Sequence, residues 1–472
     1  SDGRLARIGG DSRIRYTYCQ EYLLPTLAYV AAELGEEHAA HLLDSQLCLI
    51  EQEAAYSGDG SFYGKRLAPL IERSPYYYTR LEADRACVLG MLATYLLQSK
   101  DSETWLPNTR RERSAAVRAF EHSVSGLWHE PEHGAALHRS PSRLASFAWR
   151  AHGLTQALCQ PPNDGHLAEW PQNLCGFIRF LGDPGVIQGT RAEHRSLQGY
   201  HLDTFESGFV TCGAVLEGVN ITIEEGWRGE KSALHQIAFA ALPDAHTVIG
   251  FQHCRTADHR TYVAEVKGLH LNLPNDLYNA FQRRLISAQG ELLLASPAER
   301  DEVVPLHSSW ANIDGRLGVV GLYGADQLVV DRSAQRRGGR YQSLYVEEIC
   351  YHHATGTRAI DPNTTILDVG WAVLSTVDDK ATLRFAQEAR VIPLPDSARD
   401  VRAVCIRGMD GQRYIVLANL AADIYTIPMA VLLRDSAFAQ DLASGEILSP
   451  AQKPTLALAP GRAYVIALRE GT

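Results

Sequence analysis

Gly208 to Leu216 reads GFVTCGAVL. The stretch is short, rich in strand-forming residues and bounded by turn residues, as a buried β-strand requires. Segments of the same texture recur downstream: His246 to Gln252 (HTVIGFQ), Arg316 to Tyr323 (RLGVVGLY) and Gln327 to Val330. Long helical patterns are scarce beyond residue 134, with Asn279 to Ile286 the one helix candidate. The simplest architecture for residues 134–389 is a large central antiparallel β-sandwich built of many strands.

The chain reads differently on either side. Residues 1–133 carry apolar residues at spacings of three and four, the mark of amphipathic helices, in Tyr22 to Leu34, Ala39 to Ile50, Leu81 to Leu97 and Arg113 to Val124. Pro25 sits near the start of the first, where a helix tolerates it. Four helices are few for a closed α-domain, so an incomplete α/α-toroid-like region is expected. Residues 390–472 read as a small C-terminal β-sandwich. Within it, Val401 to Ile406 and Arg413 to Leu420 form a hairpin around Asp410-Gly411. The expected fold class is thus α+β multidomain.

The 472 residues carry 55 acidic and 45 basic side chains, a net charge of −10, which speaks against a nucleic-acid binder. Thirty-nine of the basic residues are Arg and six are Lys. Apart from genome bias, that excess suits ligands bearing carboxylate or sulfate, which the planar guanidinium binds bidentately. The nine cysteines are odd in number and widely spaced, with no CxxC. That pattern is neither a disulfide framework nor a zinc knuckle, and it points to a reducing compartment such as the cytoplasm. No signal peptide is visible, but the chain starts at Ser1 rather than Met, so a secreted or periplasmic location stays open if one was removed. No apolar run long enough for a membrane span occurs. GxxxxGK[ST], GxSxG and HExxH are absent.

Three local stretches resemble the heparinase II/III-like and alginate-lyase-like polysaccharide lyases, which join an incomplete α/α toroid to a β-sandwich. DGSF at Asp59 to Phe62, followed by a tyrosine-rich loop, resembles the toroid lip of such enzymes. Tyr200-His201-Leu202-Asp203-Thr204-Phe205, preceded by His194, resembles their His-rich strand. The spacing here is H-x6-H-x-D where the family carries H-x-H-x-D. The closing DLASGE…LAPGRAYVIAL resembles the terminal β-domain of many carbohydrate-active enzymes. The resemblance implies β-elimination on a uronic-acid polysaccharide of glycosaminoglycan or alginate type.

That chemistry removes the proton on C5, next to a carboxylate, and expels the sugar on C4. It needs a base, an acid and a group that neutralises the carboxylate. Tyr77 and Tyr78 sit at an expected loop-to-helix junction near Leu81, with Arg80 beside them, so Tyr78, Tyr77 and Arg80 are catalytic candidates. An aromatic cluster capping a helical domain is the plain alternative. His201 and His194 are candidate bases or carboxylate neutralisers. On a strand, His201 and Asp203 share a face and offer two ligands to a divalent metal of structural role. Two ligands do not suffice, so Glu225, His235 or His253 must complete the set. A catalytic cofactor is not required.

Arg66, Arg13, Arg15 and Tyr16 are candidate substrate contacts near the helical lip. Trp170 and Asn173, in HLAEWPQNLCG, supply a stacking ring and an amide; the competing reading is a turn with a core Trp. His352-His353 in CYHHATGTR reads as a loop detail. The expected partner is an acidic polysaccharide or oligosaccharide, with no nucleic acid and no membrane. Two further functions fit the same residues. A glycoside hydrolase acting on uronides needs two facing carboxylates, with Asp59, Glu82, Asp84, Glu224 and Glu225 as candidates. A non-catalytic carbohydrate-binding protein needs only an aromatic groove.

Overall fold

The computed structural model describes residues 24–35, 39–44, 47, 75–98, 115, 119, 124–151, 154–162, 164, 167, 173–181, 187–188, 195–223, 226–275, 279–334, 345–433 and 438–469. Its centre is a nine-stranded antiparallel sheet. In chain order the strands are β1 (Arg195–Phe205), β2 (Gly208–Ile223), β3 (Gly226–Ala241), β4 (Thr247–Thr256), β5 (Gln282–Ser287), β6 (Gly290–Ala295), β7 (Trp310–Ile313), β8 (Leu317–Tyr323) and β9 (Thr365–Ser375). The spatial order is β6-β5-β7-β8-β9-β4-β3-β2-β1. GFVTCGAVL begins β2, at the end of the sheet that carries the groove described below.

Both faces of the sheet are covered, which explains why β4 and β9 are almost continuously buried. One face carries Phe209, Val215, Ile237, Phe239, Val248, Cys254, Val369 and Trp371. It packs on three four-stranded sheets, which comprise residues 126–160, a sheet built around Thr261–Gly268, and a sheet built around Val346–Cys350. The opposite face carries Val210, Cys212, Ala238, Phe251, Ala372 and Leu374, and packs on the C-terminal domain through Val404, Val416 and Val465. The period of two thus sorts one strand into two cores.

The C-terminal domain keeps the expected hairpin. Val401–Arg407 pairs with Arg413–Asn419, Gly411 adopts φ +81°, and the Tyr414 hydroxyl donates to Asp410 Oδ2 at 2.6 Å. Its third core lies between a six-stranded and a two-stranded sheet. Helix α3 (Asp379–Glu388) leads into it, with the Asp378 carboxylate accepting from Ala381 N at 2.8 Å as N-cap.

Two expectations need correction. The molecule is mostly antiparallel β-sheet, and no α/α toroid stands among the described residues. Helices α1 (Leu24–Leu34) and α2 (Pro75–Gln98) form a pair packed through Leu24, Ala28, Val88 and Leu92. Large apolar side chains on them, Leu34, Met91 and Leu97, stay exposed. A toroid instead needs a ring of such pairs, each burying its apolar stripe on the next. Second, Asn279 to Ile286 is not helical. Ala280 and Phe281 take positive φ, and Gln282–Ser287 enters the sheet as β5 in a hairpin with β6. In the C-terminal domain Tyr425–Pro428 is a strand, after which Met429–Leu433 forms a short helix. The first strand, Gly126–Glu130, begins before residue 134. None of the described helices is long and apolar enough to cross a membrane.

Candidate functional site

A groove of about 820 Å³ runs between the β1–β4 end of the sheet and the C-terminal domain. Cross-strand register fixes its floor. One row is His201–Cys212–Ala238–Phe251, the next is Gly199–Ala214–Gln236–His253–Asp368, and a third includes Leu216–Leu234–Arg255–Thr365. Gly199 and Ala214 leave the middle of the floor low. A bulge between Leu197 and Gly199 adds Gln198 to the lining. Asp400, Leu420, Ala421, Ala422, Pro460 and Gly461 of the C-terminal domain form the facing wall.

The two imidazoles in the groove differ in kind. His253 is nearly buried; its Nδ1–H donates to Gln236 Oε1 at 3.0 Å, and Thr365 Oγ1 lies 3.3 Å from its Nε2. Burial holds it below the usual histidine range, with nearby Asp368 opposing and Arg402 adding to the shift. It is a neutral structural ring that orients Gln236, whose amide donates to Leu420 O across the seam. His201 is exposed, and its ring has no hydrogen-bond partner among the described residues, while its carbonyl accepts from Thr211 Oγ1 at 2.6 Å. Arg255 Nε donates to Asn363 O at 2.8 Å, which anchors the guanidinium at the far end of the groove. Three strand spacings of about 4.8 Å and four residues of about 3.3 Å set His201 and Arg255 on the order of 20 Å apart. Asp400 is the one carboxylate among the described residues that line the groove, and Asp368 ends the second floor row.

The expected site residues fall in several places. His201 and Asp203 do share a face, but no described trio of metal-donor side chains includes either. His253 stands on the same face one row away, whereas His235 projects from the opposite face and cannot join them. There Arg195 Nη2 and His235 Nδ1 donate to Glu217 Oε1 at 2.9 and 2.6 Å in a fully buried triad. Burial alone raises the Glu217 pKa, but Arg195 and His235 outweigh it and pull the carboxyl down to about 2. Asn173 is buried and structural: its Nδ2 donates to Ala157 O at 3.0 Å and its Oδ1 accepts from Asn272 N at 2.8 Å. Its amide is therefore not available to a substrate.

Tyr77, Tyr78 and Arg80 lie within the first turns of α2, not before it, because Pro75 starts the helix with its φ already set. Arg13, Arg15, Tyr16, Arg66, Trp170, His194 and Glu225 lie outside the described residues. His352-His353 is no loop detail: both start a strand, His352–Ile360. Arg255 and Gln236 were missed in the sequence, and His253 was weighed only as a metal ligand. The alternation of QHCRT was the available signal, since it places His253 and Arg255 on one face.

No family model matches the chain, and no curated protein matches it. Among solved structures it is similar to the chondroitin AC lyase of Streptomyces coelicolor A3, at 12% identity over 91% of this chain and 58% of that one, with a TM-score of 0.28. Heparinase III matches at 8% identity over 85% of this chain and 67% of that one, with a TM-score of 0.24. The galactosidase domain of the alpha-galactosidase–sucrose kinase AgaSK matches at 5% identity over 56% of this chain and 43% of that one, with a TM-score of 0.35. The chain spans about four tenths of the length of the galactosidase structures it matches. Its distant structural neighbours thus include both polysaccharide lyases and glycoside hydrolases.

Proposed function

We propose that the chain belongs to an enzyme that cleaves a uronic-acid-containing polysaccharide by β-elimination. One observation carries this: an open groove has at one end an exposed imidazole without a hydrogen-bond partner among the described residues, and at the other an anchored guanidinium. Elimination needs a base near neutral pH, and imidazole suits that role.

In this scheme His201 takes the C5 proton, the electron pair forms the C4–C5 double bond, and the C4–O bond breaks. The proton for the leaving oxygen is assigned to Tyr78, with Tyr77 as its alternative, and the carboxylate of the reacting sugar to Arg80. These three assignments rest on residue type. Arg255 is too far from His201 to serve the same sugar, and it binds a carboxylate farther along the polymer.

The test is ultraviolet absorbance on heparan sulfate, chondroitin, hyaluronan and alginate. The conjugated double bond absorbs, and hydrolysis does not create it. A rise that disappears in His201→Ala supports the scheme. New reducing ends without a rise would replace it with hydrolysis.

A further inference from the structure

Away from the groove, three carboxylates converge in the seam between two of the small sheets. Glu265 and Lys267 stand on Thr261–Gly268, and His353 on the strand paired with it; Asp331 and Glu348 stand on the neighbouring sheet. Lys267 Nζ lies 3.0 Å from Glu265 Oε1 and 2.7 Å from Asp331 Oδ2, and pairs with Glu348 Oε2. Arg179 Nη1 donates to Glu265 Oε2 at 3.2 Å. Donor atoms of Glu265, Asp331 and His353 lie within 4.8 Å of one another.

A second, independent observation comes from His353. Its side chain is 8% exposed, and its Nε2 points at Asp331 Oδ2 from 3.6 Å without a hydrogen-bond partner among the described residues. A buried imidazole nitrogen left in that state is costly, and it faces two carboxylates.

We propose that Glu265, Asp331 and His353 form a binding site for a zinc-type divalent ion, which Lys267 closes when no ion is bound. Two carboxylate oxygens and one imidazole nitrogen match zinc, which takes such ligands at about 2.0–2.2 Å, and the nitrogen disfavours calcium. The ion displaces the ammonium from Glu265 and Asp331 and leaves Lys267 on Glu348. Bound there, the ion cross-links the two sheets. The site is independent of the groove and of the chemistry assigned to it.

The experiment is calorimetric titration of the chelator-treated full chain with Zn²⁺ alone, with thermal unfolding in parallel. One ion per chain and a raised Tm are expected. His353→Gln should weaken binding at least tenfold, and Lys267→Met, which removes the competing cation, should strengthen it. Co²⁺ on the unaltered chain gives a reading that does not depend on variants folding: ligand-field bands without a thiolate charge-transfer band are expected. A thiolate band, no uptake, or binding undiminished in His353→Gln would overturn the site.

Discussion

Arg402 grips Asp368 with two parallel hydrogen bonds, Nε to Oδ1 at 2.9 Å and Nη2 to Oδ2 at 2.6 Å. Asp368 belongs to β9 and Arg402 to the C-terminal domain, so this fork pins the groove's wall to its floor. Bidentate pairs resist shear better than point contacts. Because Asp368 is partly exposed, Arg402→Leu should cost about 1–2 kcal/mol, below the value for a buried pair. Thermal unfolding measures it, and an unchanged Tm would show that the fork adds nothing to the seam.

The Glu217 triad predicts a signature in acid. Its folded pKa, about 2, lies below the ordinary carboxyl value of 4.5. A depressed pKa gives stability that is complete above the unfolded value and lost as pH falls through the folded one. The window therefore runs from about pH 4.5 down to about pH 2, with a contribution on the order of 3 kcal/mol. Glu217→Gln should flatten that part of the stability profile, as read by urea unfolding at a series of pH values.

Gly250 faces Trp371 directly across β4 and β9. Trp371 is fully buried, and a β-carbon on Gly250 would collide with its indole. Gly250→Ala should destabilise by about 1–3 kcal/mol, the usual cost of overpacking. Chemical denaturation decides the point; a neutral result would mean the indole can rotate away.

Arg255 separates polymer binding from chemistry. If it holds a carboxylate remote from the reacting sugar, Arg255→Ala should raise KM about tenfold on a long polyuronate while kcat changes little. The shortest cleavable oligosaccharide, which cannot reach Arg255, should show no difference. Equal losses on both substrates would move Arg255 into the reacting subsite.

The sheet was legible where side chains follow period two. GFVTCGAVL, HTVIGFQ and RLGVVGLY all became strands, and the MDG hairpin closed at Gly411. The helical pair was legible too, but not that the described residues form no ring, because periodicity shows a stripe and not what covers it. The QRRLIS segment was misread since short apolar spacing fits both periods; positive φ at Ala280 and Phe281 decided the matter. His201, which lines the groove, was singled out from its neighbours on one strand. The partners from β3, β4 and the C-terminal domain were hidden, since register between strands distant in sequence is a tertiary property. Asn173 was misjudged because an amide that serves two backbone groups has the same letter as one that serves a ligand.

Strand β9 has a consequence for how the molecule is made. Strands β1 to β4 form one half of the sheet in sequence order and β5 to β8 the other, and β9 lies between β4 and β8. It is the last of the nine to be synthesised. Until residue 375 has emerged, each half keeps an open inner edge of unpaired amides and carbonyls, a surface other chains can pair with. The central sheet thus cannot be completed piecemeal during synthesis, and its closing step joins segments more than a hundred residues apart. Slow maturation and a need for protection from premature edge pairing follow from this one insertion.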